Sequence, residues 1–364
     1  MTNNNDNNIV PCDKSKSKGG INLLDLKDLA HRRNILFPAK ISKRALCKLV
    51  NEGLRERQVS TGAPNLYLPV LTDLYDMQQR LGHGTFGEVW KAIEKRSGNA
   101  HTLKLLFNIN DSEIKREVAS LIELSHAGAN GGCDENIVCY HSQFVAMHAL
   151  GNEKPRKYQI VATEFIEGDT LTRWRKDWYA KNAQPPPVAF MRRVSKGLLN
   201  ALSIAHALGI AHLDIKPANI IISKTHLVVI DFGISCTESR NLVRRDPSNK
   251  CGNTDGWGTD DYMSPQYVDE CYAKNKACKS ETRFGTDVWA AGLCLLSLAH
   301  NPDPVDKITI EFDETDAYLP WLKSRVWLPN VVYAADAKVS AVIDAALTVD
   351  QRKRPSAAQL LAML

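Results

Sequence analysis

No two of the nine cysteines (Cys12, Cys47, Cys133, Cys139, Cys236, Cys251, Cys271, Cys278, Cys294) stand in C-x-x-C spacing. That absence argues against a zinc ribbon, a dithiol redox motif or a regular disulfide framework, and it favours the reduced thiols of an intracellular protein. Long apolar runs are missing too. The most apolar helical stretch, VWAAGLCLLSLA, is too short to cross a bilayer, and the opening MTNNNDNNIV has no signal-peptide core, so no membrane partner is expected. Charge of one sign is scarce: 46 Lys and Arg against 41 Asp and Glu leave only +5, too little to imply nucleic acid by itself. No internal repeat is present. What the 364 residues do have is 44% apolar composition, enough to bury a sizeable core.

Residues 1–20 are rich in Asn, Lys and Ser and read as a disordered tail. Helical periodicity follows over 21–34 and 42–56, and STGAPNLYLP marks a linker within 59–75. From about 76 the pattern is strand-rich and from about 188 mainly helical, which predicts an α+β domain with two lobes over 76–364.

LGHGTFGEVWKA carries G-x-G-x-x-G at Gly82, Gly84 and Gly87. Alone, that spacing also marks dinucleotide sites and ordinary turns. A dinucleotide site needs a helix next, whereas EVWKAIEKRSGNAHTLKLLF reads as two strands about Ser97-Gly98-Asn99, which sets Lys104 roughly opposite Lys91. Backbone N–H groups free of side-chain bulk would then cover a polyphosphate while the Lys104 ammonium meets its charge. DSEIKREVASLIELSH (111–126) has Ile114, Val118, Leu121 and Ile122 at helical spacing, with Asp111 or Ser112 as cap; Glu113 or Glu117 would pair with Lys104.

AHLDIKPANIIIS (211–223) places His212, Asp214, Lys216 and Asn219 before a dry strand. Phosphoryl transfer to an alcohol uses these residue types together, because the protein mainly positions groups and neutralises charge. Asp214 would align the hydroxyl and accept its proton, Lys216 would balance charge on the moving group, and Asn219 offers an amide oxygen to a hard cation. HLVVIDFGIS supplies a second cation ligand, Asp231, at a strand end.

Together these residues resemble the eukaryotic-type serine/threonine protein kinase family over about 76–364. Gly82-x-Gly84-x-x-Gly87-x-Val89 resembles its Gly-rich loop and Leu103-Lys104 its V-A-I-K strand; Arg116-Glu117 is similar to the helix-C motif, favouring Glu117 over Glu113. ATEFIEGDTL is similar to a hinge, with Thr163 as gatekeeper and Glu164 to Ile166 as the backbone that meets adenine. His212-Leu213-Asp214 resembles H-R-D, Asp231-Phe232-Gly233 resembles D-F-G, and Ser264-Pro265-Gln266 stands where A-P-E belongs. Asp287 resembles the aspartate that braces the catalytic loop, and Arg354 the C-terminal structural arginine. The resemblance implies a two-lobed kinase fold, a small β-rich lobe over 76–166 and a larger helical lobe over 167–364. It implies ATP and Mg²⁺ as cofactors, with Asn219 and Asp231 as metal ligands. The nucleotide pocket would comprise Leu81, Gly82, Gly84, Gly87, Val89, Thr102, Lys104, Thr163, Glu164, Ile166, Ile221 and Asp231. Lys216 and Thr259 point to the serine/threonine branch, and so to a protein substrate.

Four departures stand out. Leu213 replaces the arginine of H-R-D, which implies activity independent of activation-segment phosphorylation, so that replacing every Ser and Thr between 235 and 254 should leave most turnover intact. Gln266 replaces a glutamate that would pair with Arg354, placing helical-lobe stability in question. The Lys104-to-Glu117 separation is short, and AGANGGCDE (127–135) is an added polar loop. The rival readings are a pseudokinase or nucleotide-binding scaffold, and a DNA-tethered adaptor. The last rests on 21–58, where nine Lys and Arg face four Asp and Glu, a net +5 equal to the whole surplus, in a weakly SAP-like helix–extended-loop–helix pattern that would bind DNA phosphates. Cytoplasm or nucleus is the expected compartment.

Overall fold

The structure, a computed structural model, describes residues 68–364 except 85–86, 108–110, 129, 150–154, 238–249, 252–257, 273–277, 308–314, 326–327, 330–332 and 334. The expected tail (1–20), basic helical module (21–58) and most of the linker lie outside the described residues. The chain packs as two compact units, one within 1–109 and 139–165, the other from 110–138 and 166–364.

The first unit is a five-stranded antiparallel sheet preceded by one helical turn, α1 (Leu71–Leu74). Its strands are β1 (Tyr75–Gly84), β2 (Gly87–Glu94), β3 (Ala100–Leu106), β4 (Tyr140–His148) and β5 (Arg156–Glu164), ordered β1-β2-β3-β5-β4. Period-2 alternation decides the faces. His101, Leu103 and Leu105 are buried, with Leu103 and Leu105 joining Tyr75, Ala92, Phe144 and Ile160 in the core, while Thr102 and Lys104 point to the other face. The strand register differs from the expected one: Lys104 lies opposite Val89, and Lys91 faces Thr102. The turn is asymmetric, with Gly98 in the left-handed region (φ +73) and its N–H bonded to the Glu94 carbonyl, so the hairpin folds one position earlier. A shift of two partners keeps every side chain on its face, so Lys104 still points away from the core.

The second unit is mainly helical: α2 (Asp111–Leu124), α3 (Leu171–Tyr179), α4 (Val188–Ala207), α5 (Ser280–Ala299), α6 (Thr315–Ser324), α7 (Ala337–Ala346) and α8 (Ala357–Leu361). Short strands are threaded between them: β6 (Gly168–Thr170), β7 (Ile210–Ala211), β8 (Ile220–Ser223), β9 (Leu227–Val229) and β10 (Cys236–Thr237). α5 carries the apolar stretch singled out in the sequence and is buried on nearly every side, against α4 and α7. A helix apolar all round belongs in a core; no helix among the described residues is long and apolar enough to cross a membrane. Gly292 permits the approach, since a Cβ there would sit 2.9 Å from the Ala346 Cβ.

The expectation of reduced thiols is corrected. Cys236–Cys251 and Cys271–Cys278 are disulfide-bonded, and Cys294 is a buried free thiol. Cys236 and Cys251 meet because Thr237 bridges Lys250, a pairing across 15 residues that spacing alone does not encode.

Candidate active site

β7 pairs with β10 and delivers the chain to His212. The next residue, Leu213, has φ +67, left-handed backbone that costs a branched side chain about 1–2 kcal/mol. Asp287 of α5 holds it there. Its Oδ1 accepts the Leu213 N–H at 2.8 Å, and its Oδ2 accepts the His212 N–H at 2.8 Å and lies 2.9 Å from His206 Nε2. Bonds to a buried charge contribute about 1.5–3 kcal/mol each, so they outweigh the strain. Gly258 closes the other side: its φ is +137, and a Cβ would stand 2.8 Å from the Leu213 carbonyl oxygen. Sequence reasoning singled out Asp287 and missed His206 and Gly258, whose roles come from contacts distant in the chain.

His212 is fully buried. Its Nδ1 accepts the Asp214 N–H (3.1 Å), so the proton sits on Nε2 and is donated to the Ile230 carbonyl (3.1 Å). The ring also packs on Phe232, centroids 4.6 Å apart. One imidazole thereby ties the Asp214 loop to the strand that ends at Asp231.

Three expected residues converge on the carboxylate of a fourth, Asp214. Asp214 Oδ1 accepts the Thr259 hydroxyl at 2.6 Å; its Oδ2 accepts Lys216 Nζ at 2.8 Å and Asn219 Nδ2 at 2.9 Å. Lys216 Nζ also donates to Thr259 Oγ1 at 2.8 Å, and Asn219 Nδ2 to the Asp214 carbonyl at 2.8 Å. The Asp214 side chain keeps 15% exposure, so the carboxylate is fixed yet reachable.

The β8–β9 hairpin explains why Asn219 and Asp231 share an end of the same element. Ile220 pairs with Val229, and the Ile230 N–H donates to the Asn219 carbonyl at 2.9 Å. Asp231 follows at φ +62, also left-handed, and is exposed. Ile221 lies partly exposed on β8. Glu117 is buried on α2, and Ile166 also falls in this unit.

The remaining expected residues lie in the sheet unit. Gly82 pairs with Val89 and Gly84 with Gly87, so the glycine motif is the β1–β2 hairpin end. A Cβ at Gly87 would overlap the Leu105 carbonyl, so β3 demands that glycine; at Gly82 it would meet nothing, so open space lies over that position. Leu81 is exposed, and Lys104 is a neighbour of Val89 and Val161. Thr102 pairs with Thr163. The Glu164 carboxylate is used structurally, accepting the Cys139 N–H at 2.8 Å.

Arg354 meets Gln266 where the family pattern has a glutamate. It is buried, and burial pulls the guanidinium down to about 9, opposed by the Asp350 charge. It donates to the carbonyls of Thr348 and Gly285 and to Gln266 Oε1 (3.1 Å), and lies over the Trp289 ring. Gln266 Nε2 donates in turn to the Val349 carbonyl at 2.5 Å, which a glutamate cannot do.

Residues 75–364 match the family model described as protein kinase domain. The chain is 24% identical over 299 residues to the interferon-induced, double-stranded RNA-activated protein kinase of Rattus norvegicus, covering 80% of this chain and 52% of that one. It is 29% identical over 261 residues to extracellular signal-regulated kinase 7 of Drosophila melanogaster, covering 71% and 25%. Misshapen-like kinase 1 of Rattus norvegicus shares 24% over 306 residues, covering 81% and 20%. The chain thus spans about half the length, or less, of these curated relatives.

Proposed function

The chain belongs to the protein kinase domain family, and from that premise we propose that it transfers the γ-phosphoryl group of ATP to serine and threonine hydroxyls of a protein substrate. The Asp214 carboxylate, bonded at once by Thr259, Lys216 and Asn219, is the observation that carries the reading. ATP with Mg²⁺ supplies the electrophilic phosphoryl group and neutralises its oxygens.

The residues fit that cofactor pair. Asn219 commits its Nδ2 to Asp214, so its Oδ1 is the atom left for a cation, and Asp231 adds a carboxylate at the same hairpin end; an all-oxygen set suits Mg²⁺. Asp214 orients the substrate hydroxyl and takes its proton as the oxygen attacks phosphorus. Lys216, two residues on, is placed to balance charge near that oxygen, and Thr259 fixes the carboxylate rotamer. By the family pattern, Lys104, Gly82, Gly84 and Gly87 of the sheet unit are assigned to the phosphates, and Leu81, Val89, Thr102, Thr163 and Glu164 of that unit to the adenine side; the same pattern assigns Glu117, Ile166 and Ile221 of the helical unit to nucleotide binding. Use of ATP favours an intracellular setting, cytoplasm or nucleus. DNA tethering through 21–58 gains no support from the family match, which covers residues 75–364.

We also infer that activity is independent of activation-segment phosphorylation. Leu213 is 6% exposed and apolar, so the loop offers no cation to a phosphate there. The test must spare Ser235 and Thr237. The Ser235 hydroxyl is buried against the Phe232 carbonyl and Ser120, and Thr237 donates to the Gly209 carbonyl, so replacing them would damage packing. Labelled γ-phosphate transfer to a generic basic protein, with phosphoamino-acid analysis, is measured for wild type and the Ser239→Ala, Ser248→Ala, Thr254→Ala triple variant. The expected result is label on serine and threonine, with most turnover kept in the variant. Label on tyrosine, or no transfer at all, contradicts the first proposal; loss confined to the variant contradicts the second.

A further inference from the structure

A cluster with different chemistry lies at one end of the sheet unit. Glu94 ends β2, His101 is the second residue of β3, and His141 is the second of β4. One donor atom from each lies within 4.8 Å of the other two. Glu94 Oε2 is 3.9 Å from His101 Nε2, Glu94 Oε1 is 3.8 Å from His141 Nε2, and the imidazole rings stack with centroids 4.1 Å apart.

Three features separate this cluster from a chance meeting of polar groups. First, His101 is buried, at 7% exposure, and its Nδ1 faces the Thr163 carbonyl at 3.3 Å. A carbonyl only accepts, so the proton sits on Nδ1 and Nε2 carries a lone pair. That Nε2 is sequestered from solvent and has no hydrogen-bond partner. A buried acceptor left unpaired is destabilising, and here it points at a carboxylate and a second imidazole. Second, His141 is the extra residue of a β-bulge, since Tyr140 pairs with Thr163 while Ser142 pairs with the adjacent Ala162. Bulges re-aim a side chain at the expense of ladder hydrogen bonds, and this one turns an imidazole toward the cluster. Third, the supporting contacts suit ligands: the Thr163 carbonyl orients His101, and the Ser97 hydroxyl donates to Glu94 Oε2. Metal-bound histidines and carboxylates are oriented in this manner.

We propose that Glu94, His101 and His141 form a binding site for a divalent transition-metal ion, Zn²⁺ foremost, that clips the ends of β2, β3 and β4 together. Two imidazoles and one carboxylate are a zinc-type donor set, and water completes the four positions. A tetrahedral ion with bonds of about 2.0–2.1 Å holds its donors about 3.3 Å apart. The present separations therefore close on binding, by rotation of Glu94 and of the His141 ring out of its stack. Both side chains are about one-fifth exposed and have room to turn. The buried His101 stays where the Thr163 carbonyl holds it. The site lies wholly within the sheet unit and is independent of the phosphotransfer proposal.

The test is Zn²⁺ titration of the purified full chain against a chromophoric chelator, beside the Glu94→Gln and His141→Asn variants, with thermal melts of each. All three proteins keep the same cysteines, so thiol binding cancels in the comparison. The expected result is one additional zinc equivalent in wild type, affinity weakened by about 100-fold in either variant, and a zinc-dependent rise in Tm seen only in wild type. Glu94→Gln preserves shape, so its far-UV circular dichroism should match wild type. Equal zinc stoichiometry and affinity in wild type and Glu94→Gln overturn the proposal, as does a wild-type chain that takes up no zinc at micromolar concentration.

Discussion

Asp287 illustrates how one buried carboxylate fixes the loop that carries Asp214. Its two oxygens take the His212 and Leu213 N–H groups, and the left-handed turn at Leu213 persists only while they do. An Asp287→Asn variant keeps the volume but turns an NH₂ group toward one of those donors. We expect it to lose about 2 kcal/mol of stability, from the unpaired buried donor, and to lower kcat more than it raises KM. Urea unfolding and steady-state kinetics check this; unchanged stability contradicts it. At this scale the sequence was most readable where chemistry is local: Asp214, Lys216 and Asn219 lie within six residues and do meet. His206 and Gly258 were not readable, because each matters through a contact with a residue far along the chain.

Elements were legible by periodicity and less so by register. The helix expected over 111–126 spans Asp111–Leu124, and the hairpin after the glycine loop is present, but Gly98 displaced its register by a step that composition does not reveal. The Cys236–Cys251 bond was illegible for a similar reason, since it depends on the Thr237–Lys250 bridge. Helix α7 offers a prediction of its own. Asp336 caps it, accepting the Lys338 and Val339 N–H groups, and bonds Arg192 through Oδ2. The Arg192 bond chiefly, against burial and aided by the backbone N–H groups, holds the Asp336 carboxyl below its ordinary value. A carboxyl depressed on folding contributes stability above its unfolded pKa of about 3.9 and loses it as pH falls through the lower folded value. Asn also caps helices well, so Asp336→Asn removes the charge alone. The variant should be less stable than wild type near pH 6, with the difference closing as pH falls below the ordinary carboxylate range. A difference that stays constant with pH contradicts this assignment.

For the molecule as a whole, the order of motifs along the chain conveyed more than any one motif. Gly82-x-Gly84-x-x-Gly87 alone fits several folds, and it gains meaning from Lys104 on the neighbouring strand and from Asp214, Asn219 and Asp231 in the helical unit. Departures from the family pattern, Leu213 and Gln266, are accommodated locally, by Asp287 and by carbonyl acceptors around Arg354. Both leave the Asp214 cluster assembled, as the proposed transfer requires. The decisive measurement is Asp214→Asn, assayed for phosphoryl transfer and for equilibrium binding of Mg²⁺–ATP side by side. Removing the proposed general base should lower kcat by about 10²–10⁴-fold and leave the nucleotide Kd within a few-fold of wild type. Equal turnover in the two proteins would contradict the role assigned to Asp214.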